Sequence, residues 1–258
     1  MRRLKSVLTL LTGFICILAC PLHAQQPLPV GTVIAIVLEH TIDSRSVKPG
    51  RRIVARIAQE VPLGDKHVIR AGSKVFGEVT QTENVLGHAK LGLRFDRLEL
   101  GNAEVVINTR LRALASSIDV SDAKLQRVGA GESYRSSDTT VQIGGRVIVY
   151  RGGGVVENEK GEVVGQPVSG GVLAVVTNQP GSNCESIPVT QTPQAVWLFA
   201  PNACDVYGFR GVRFENGTGE NAGEILLLKI DKKDWKFTSI NLTAGSALLL
   251  TIAGTPGR

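Results

Sequence analysis

"VIRAGSKVFGEV" (68–79) decides how the front of this chain folds. Two β-rich runs meet at a break of small residues, Ala71-Gly72-Ser73, and a glycine, Gly77, falls inside the second run. Gly72 permits the corner, because glycine adopts positive φ without steric cost. Ser73 is suited to hydrogen-bond the turned backbone. Glycine inside a strand is poor strand former but allows a bend or a close backbone approach, which is the role expected of Gly77.

The text on either side repeats the pattern. "GTVIAIVL" (31–38) is a β-branched run. "RRIVARIAQEV" (51–61) alternates, with Ile53, Ala55 and Ile57 on one face, and "KPG" (48–50) supplies the turn before it. In "KLGLRFDRLEL" (90–100), Leu91, Leu93 and Phe95 share a face, and the apolar phase then slips to Leu98 and Leu100. A slip of one residue is what a β-bulge produces. "AEVVINTRLR" (103–112) sets Val105, Ile107, Thr109 and Leu111 against Val106, Asn108, Arg110 and Arg112. Bulges, strand glycines such as Gly77 and Gly92, and small corners are devices that curl a sheet. Residues 27–115 therefore read as a compact, strongly coiled β-barrel.

Residues 116–145 are polar and low in large apolar side chains, apart from "SDAKLQRV" (121–128), which fits a turn or two of helix capped by Ser121; the stretch reads as a linker or surface insertion. From residue 146 to 258 seven short apolar runs alternate with Gly, Pro and Asn turns. The fold class is all-β, with this second region either a small sandwich or a continuation of the first sheet. "ALLLTI" (247–252) has consecutive apolar residues, so burial on both faces and a return to the barrel are expected.

The first 24 residues read as an export signal: a basic "MRRLK", the apolar "SVLTLLTGFICILA", and "PLHA" ending at Ala24. "ILAC" offers a rival, lipid attachment at Cys20. The formal charge of +6 over 258 residues falls to +3 once Arg2, Arg3 and Lys5 leave with the signal (+6 − 3), and acidic and basic residues are interspersed, which argues against a nucleic-acid footprint. Of 4 cysteines two lie in the signal, leaving Cys184 and Cys204 to pair as a disulfide in an exported chain.

Motifs that carry chemistry are sparse. No phosphate-loop, zinc-protease or nucleophile-elbow pattern is present, and no catalytic, cofactor-binding or metal-ligating residue is assigned. His40, His67 and His88 lie far apart, "RGGGVV" (151–156) reads as a turn, and Asp43 beside Ser44 and Glu99 with Glu104 read as solvated. "NGT" at 216 and "NLT" at 241 match the glycosylation sequon. The aromatics Trp197, Phe199, Tyr207, Phe209 and Phe214 cluster around the cysteine pair. They read either as core packing or, for Trp197, Phe199 and Tyr207, as a contact surface.

"VGTVIAIVLEHTIDS" (30–44), "IRAGSKVFGEV" (69–79) and "LRFDRLEL" (93–100) resemble the barrel domain of TrbI-like proteins, the core-complex components of conjugation and type IV secretion systems. Gly72, Ser73 and Gly77 are the best matches. The resemblance implies a barrel fold and a cell-envelope address. Family members carry a membrane helix and a proline-rich linker before the barrel, whereas here the barrel is expected to start about three residues after the expected cleavage site, and the family's apolar helical insertion corresponds to the polar 116–145. The expected function is thus a non-enzymatic, exported structural or binding module of the periplasm or envelope with a protein partner, and no cofactor. The alternatives are a secreted hydrolase or carbohydrate-acting enzyme with a loop-built site, and a subunit of a secretion-type assembly.

Overall fold

The computed structural model describes residues 28–63, 68–124, 126–128, 137–145, 147–151, 154–168, 171–178, 184–185, 187–231 and 237–254. The expected signal, Ala24 and Cys20 lie outside them. The chain runs through β1 (Val33–Leu38), β2 (Ile42–Asp43), β3 (Arg52–Ile57), β4 (Val61–Pro62), β5 (Val68–Ile69), β6 (Lys74–Val85), β7 (His88–Leu100), β8 (Ala103–Val106) and β9 (Thr109–Ala115). A helix, α1 (Ser117–Lys124), follows. Then come β10 (Gln126–Val128), β11 (Ser137–Val141), β12 (Val147–Arg151), β13 (Val156–Asn158), β14 (Val163–Val168), β15 (Gly171–Ala174) and β16 (Gln194–Ala195). The chain finishes with β17 (Asp205–Tyr207), β18 (Val212–Asn216), β19 (Glu224–Ile230), β20 (Asn241–Leu242) and β21 (Ala247–Ile252). The fold is all-β, as the alternation predicts.

Two sheets dominate. The first is ten-stranded, in the order β17-β9-β21-β1-β3-β6-β7-β19-β18, with β8 also on β7. The expected unit 27–115 is not self-contained, because β17, β18, β19 and β21 belong to its sheet. β21 sits between β1 and β9, with Ala35 opposite Leu249 and Leu249 opposite Ala113. All six of its residues are buried, so it takes a central position where both faces are covered. The second sheet is a seven-stranded meander from β10 to β16. It claims part of the stretch read as a linker: 117–124 is helical, while 126–128 and 137–141 are strands. The helix begins earlier than expected, at Ser116 rather than Ser121: Ser116 Oγ accepts the Asp119 N–H at 3.2 Å.

Three register shifts curl the first sheet. Between β6 and β7 they fall at Phe76/Gly77 and Val79/Gln81, leaving Asp96 as the extra residue of β7 and Thr80 as that of β6. The first is the slip read from Phe95 to Leu98. The third lies between β9 and β21, where Leu250 faces Leu111 and Leu249 faces Ala113, so Arg112 is extra. Gly77 sits where a Cβ would overlap the Arg94 carbonyl oxygen, and a Cβ on Gly92 would strike the Thr80 side chain. Gly72 makes the expected corner as the left-handed residue (φ +87°) of the turn from β5 to β6, donating its N–H to Ile57 O at 2.8 Å. Ser73 holds that turn through its backbone N–H to Arg70 O at 3.2 Å, not through its hydroxyl.

The sheet curls back until β18 approaches β9, but no ladder of backbone bonds joins them among the described residues, so the expected closed ring is not formed by strands alone. A side chain spans the seam instead. Asn216 Oδ1 accepts the Leu111 N–H at 2.6 Å, and its Nδ2 donates to Leu111 O at 2.9 Å. The amide thereby imitates a strand neighbour for one residue.

Two apolar cores result. The inside of the curled sheet holds Ile34, Ile36, Leu91, Leu93, Phe95 and Leu250, among others. Outside it, Val33, Ala35, Ala113, Ala115, Ala247 and Leu249 form a face of mostly small side chains. The second sheet and its loops cover that face with Ile148, Val172, Ala174, Leu198 and Phe199.

Gly77→Ala is expected to lower stability by about 2–3 kcal/mol, because backbone opposes the added methyl and cannot move aside. Gly72→Ala, with open space around it but a left-handed φ, is expected to cost about 1–2 kcal/mol. Urea unfolding midpoints measure both, and the reverse ranking would contradict the placement of these glycines.

Candidate functional site

Arg112 is the best-buried charged residue described, at 0% exposure. Strand alternation groups it with Arg110 on an outer face. The extra residue in β9 turns it instead beneath the second sheet. Its Nε donates to Ala203 O at 3.1 Å and its Nη1 to Asn178 Oδ1 at 2.9 Å; Nη2 donates to Thr177 O and, at 3.4 Å, to Pro201 O. Among the described residues no carboxylate pairs with it. Removal from water pushes its pKa down to about 10, so it remains a cation at neutral pH, held by neutral acceptors.

The same ground carries the predicted disulfide. Cys184 and Cys204 are joined, with Cα atoms 6.0 Å apart and both side chains buried. Arg112 therefore clamps the two segments, 177–178 and 201–203, that flank the cystine, while the disulfide closes the loop carrying β16. Tyr207 lies on β17 and its hydroxyl accepts the Cys204 N–H at 3.3 Å. Burial raises the pKa of that phenol. Phe199 is fully buried in the core between the sheets, so it is no contact surface. Trp197 and Tyr207 are half-buried and pack against the same core, whereas Phe209 and Phe214 belong to the barrel interior. The aromatic cluster of the sequence is thus divided between two cores, because the chain crosses from the cover back to the barrel at Tyr207.

The residues weighed for chemistry do not converge. Among the described residues no group of three or more His, Cys, Asp or Glu is placed to hold a metal. His88 lies 3.4 Å from Glu83 on the β6–β7 hairpin; His67 is outside the described residues. Glu99 and Glu104 do face each other across β7 and β8. They turn apart, however: Glu99 accepts the Lys74 N–H at 3.2 Å, and Glu104 pairs with Arg97 at 3.1 Å. Asp43 is engaged by Arg45, whose guanidinium lowers the carboxyl pKa. "NGT" at 216 carries no free amide, since Asn216 spans the barrel seam. No protein-family model, no curated protein and no solved structure matches the chain.

Two surfaces depart from an ordinary solvated exterior. One is the barrel end where the β6–β7 hairpin turns: Val85 (41% exposed), Leu86 (53%), Ile230 (59%) and Phe237 (77%) are gathered there. Leu86 bridges to Phe237, Ile230 pairs with His88, and Thr238 N–H reaches Val85 O at 3.2 Å. The other is a cleft of about 900 Å³ in the second sheet, lined by Ile148, Val163, Val164, Leu173, Val175 and Pro201 among others. Of the eleven exposed large apolar residues among those described, four stand at the barrel end, and Val163 and Val175 line the cleft.

Arg112→Met is expected to cost about 3 kcal/mol by leaving buried carbonyls unpaired, with Arg112→Lys recovering only part because one ammonium cannot span the same acceptors. Replacing both Cys184 and Cys204 by Ser is expected to cost about 3 kcal/mol for a loop with a sequence separation of 20. Denaturant unfolding of the oxidised protein and each variant tests both; unchanged midpoints would remove the clamp from the account.

Proposed function

We propose that this chain is an exported, non-enzymatic binding module of a bacterial cell envelope, in which a TrbI-like barrel presents its apolar end to a protein partner. The single observation that carries the reading is the gathering of Val85, Leu86, Ile230 and Phe237 on one barrel end. Contiguous exposed apolar groups are unfavourable in water and become favourable once a partner removes them from it. The buried Cys184–Cys204 disulfide supports an oxidising compartment, as export requires. The text of 30–44, 69–79 and 93–100 supports the barrel kinship and, through it, the envelope address.

Among the described residues no helix is long and apolar enough to cross a membrane. Attachment through a lipid on Cys20 belongs to this proposal as one of two maturation routes, the other being cleavage after Ala24.

The test is a photo-activated cross-linking residue at position 86 or 237 of the chain in intact cells, with position 106 as control. Val106 is 76% exposed but stands apart from the barrel end. A discrete cross-linked protein from 86 and 237, absent from 106 and lost with Leu86→Asp, is expected. Equal labelling from all three positions would refute a dedicated barrel-end interface. The intact mass of the recovered chain separates the two maturation routes.

A further inference from the structure

β14 pairs with different neighbours along its two halves. Val163 and Gly165 face β13 (Glu157 and Val156), whereas Gln166, Pro167 and Val168 face β15 (Leu173, Val172 and Gly171). The β14–β15 ladder stops at Gln166 opposite Leu173. Continued by one and two residues it would join Gly165 to Ala174 and Val164 to Val175, and it does neither. The two arms of the hairpin splay apart there, and both line the 900 Å³ cleft: Val163, Val164 and Gly165 on one side, Ala174, Val175 and Thr177 on the other.

Strand β14 is also uncovered: each of its residues is exposed or half-exposed, with Val163 at 62%. Its "VVGQPV" text carries three valines, while Gly165 and Pro167 are residues of edge strands and bulges, in keeping with an open edge. A splayed pair of strand edges with aliphatic side chains around it has one structural complement, an extended segment that adds backbone pairs and buries alternate aliphatic groups. Among the described lining residues the side chains are aliphatic or polar and none is aromatic. The titratable groups in that lining are Glu159, Lys160 and Glu162, two acidic against one basic, gathered at the turn between β13 and β14.

We propose that the cleft between the splayed arms of β14 and β15 binds an extended segment of a partner protein by strand addition, taking aliphatic side chains at alternate positions and basic ones between them. The site is separate from the barrel end: its floor belongs to the core between the sheets (Ile148, Ala174, Ala200), not to the barrel interior. It extends the binding-module reading without requiring the barrel-end partner.

Purified full chain is titrated with a labelled alternating Val-Lys decapeptide, followed by fluorescence anisotropy. The comparison peptides are alternating Val-Glu, alternating Ser-Lys, and Val-Lys carrying N-methyl groups on alternate backbone nitrogens. The Val-Lys peptide is expected to bind at least about tenfold more tightly than each of the others, a difference easily resolved. Val163→Asp and Val175→Asp, at exposed positions, are each expected to weaken it by about tenfold while unfolding midpoints stay unchanged. Glu162→Lys is expected to shift preference toward Val-Glu, and Leu86→Asp to leave binding intact. Equal affinity for the N-methylated peptide would overturn strand addition, and equal affinity for Val-Glu would overturn the charge preference. Concentration-dependent dimers that Val163→Asp abolishes would replace the partner with a second copy of this chain. Failure here with success of the cross-linking experiment, or the reverse, separates the two surfaces.

Discussion

A strand that is apolar on both faces has to be covered twice, and β21 imposes that requirement on the whole molecule. One face, with Leu248, Leu250 and Ile252, fills the curled sheet. The other, with Ala247 and Leu249, joins Val33, Ala35, Ala113 and Ala115 from β1 and β9 in a smooth outer face that water would leave destabilised. The second sheet exists, in physical terms, as the cover for that face. Alanine suits the position because its small side chain lets the covering elements come close to the barrel backbone, where Phe199 and Leu198 can pack without voids.

Apolar contact alone holds a cover on but does not fix its position. Directional bonds do that here. Gln59 Oε1 accepts the Leu198 N–H at 2.7 Å, and Gln194 Oε1 accepts the Val33 N–H at 2.5 Å, each reaching between barrel and cover. Arg112 adds donors aimed at carbonyls on both sides of the cystine. A buried guanidinium without a carboxylate is costly to desolvate, and its lowered pKa is the signature of that cost. Its acceptors compensate only in one arrangement of the cover, so the charge selects a geometry as well as supporting it. The disulfide acts on the same loop from the unfolded side, by restricting the ensemble that the loop would otherwise explore.

Much of the curled first sheet was legible in the sequence because its signals are local, although the closed ring expected there is not formed by strands alone. The alternation of Ile53, Ala55 and Ile57, the slip after Phe95 and the glycines at 72 and 77 each report a backbone event within a few residues. What escaped is long-range. Arg112 looks like the outward partner of Arg110 unless the neighbouring "LRALA" is read as apolar on both faces, the same clue that marked "ALLLTI". Asn216 matched a modification sequon, yet its amide substitutes for a missing strand neighbour 105 positions back in the chain, at Leu111. Phe199 stood in an aromatic cluster whose division between two cores depends on where the chain recrosses to the barrel. The strand "SDTTV" in β11 carries one aliphatic residue, so nothing in its composition distinguishes it from a loop. Partner identity, such as β21 lying between β1 and β9, is not encoded in periodicity at all; it follows from which apolar faces remain to be covered once the local strands have formed.

The arrangement of the two cores also bears on how the open surfaces can work together. The barrel end is supported by β6, β7 and β19, whose inward residues Val79, Ala89, Leu91 and Leu227 belong to the barrel interior. The splayed arms of β14 and β15 stand on Ile148, Ala174 and Ala200, which belong to the core between the sheets. The first sheet and its cover meet at the wall of β1, β21 and β9, and also where Leu198 donates to Gln59, between β3 and β4. That wall is well packed, with three strands bonded to one another along their length. On the binding-module proposal, partners held at both surfaces would gain from the raised local concentration of one beside the other. For such an arrangement the bonds of Arg112, the cystine and the twice-covered β21 would matter by keeping the spacing between the two proposed surfaces fixed.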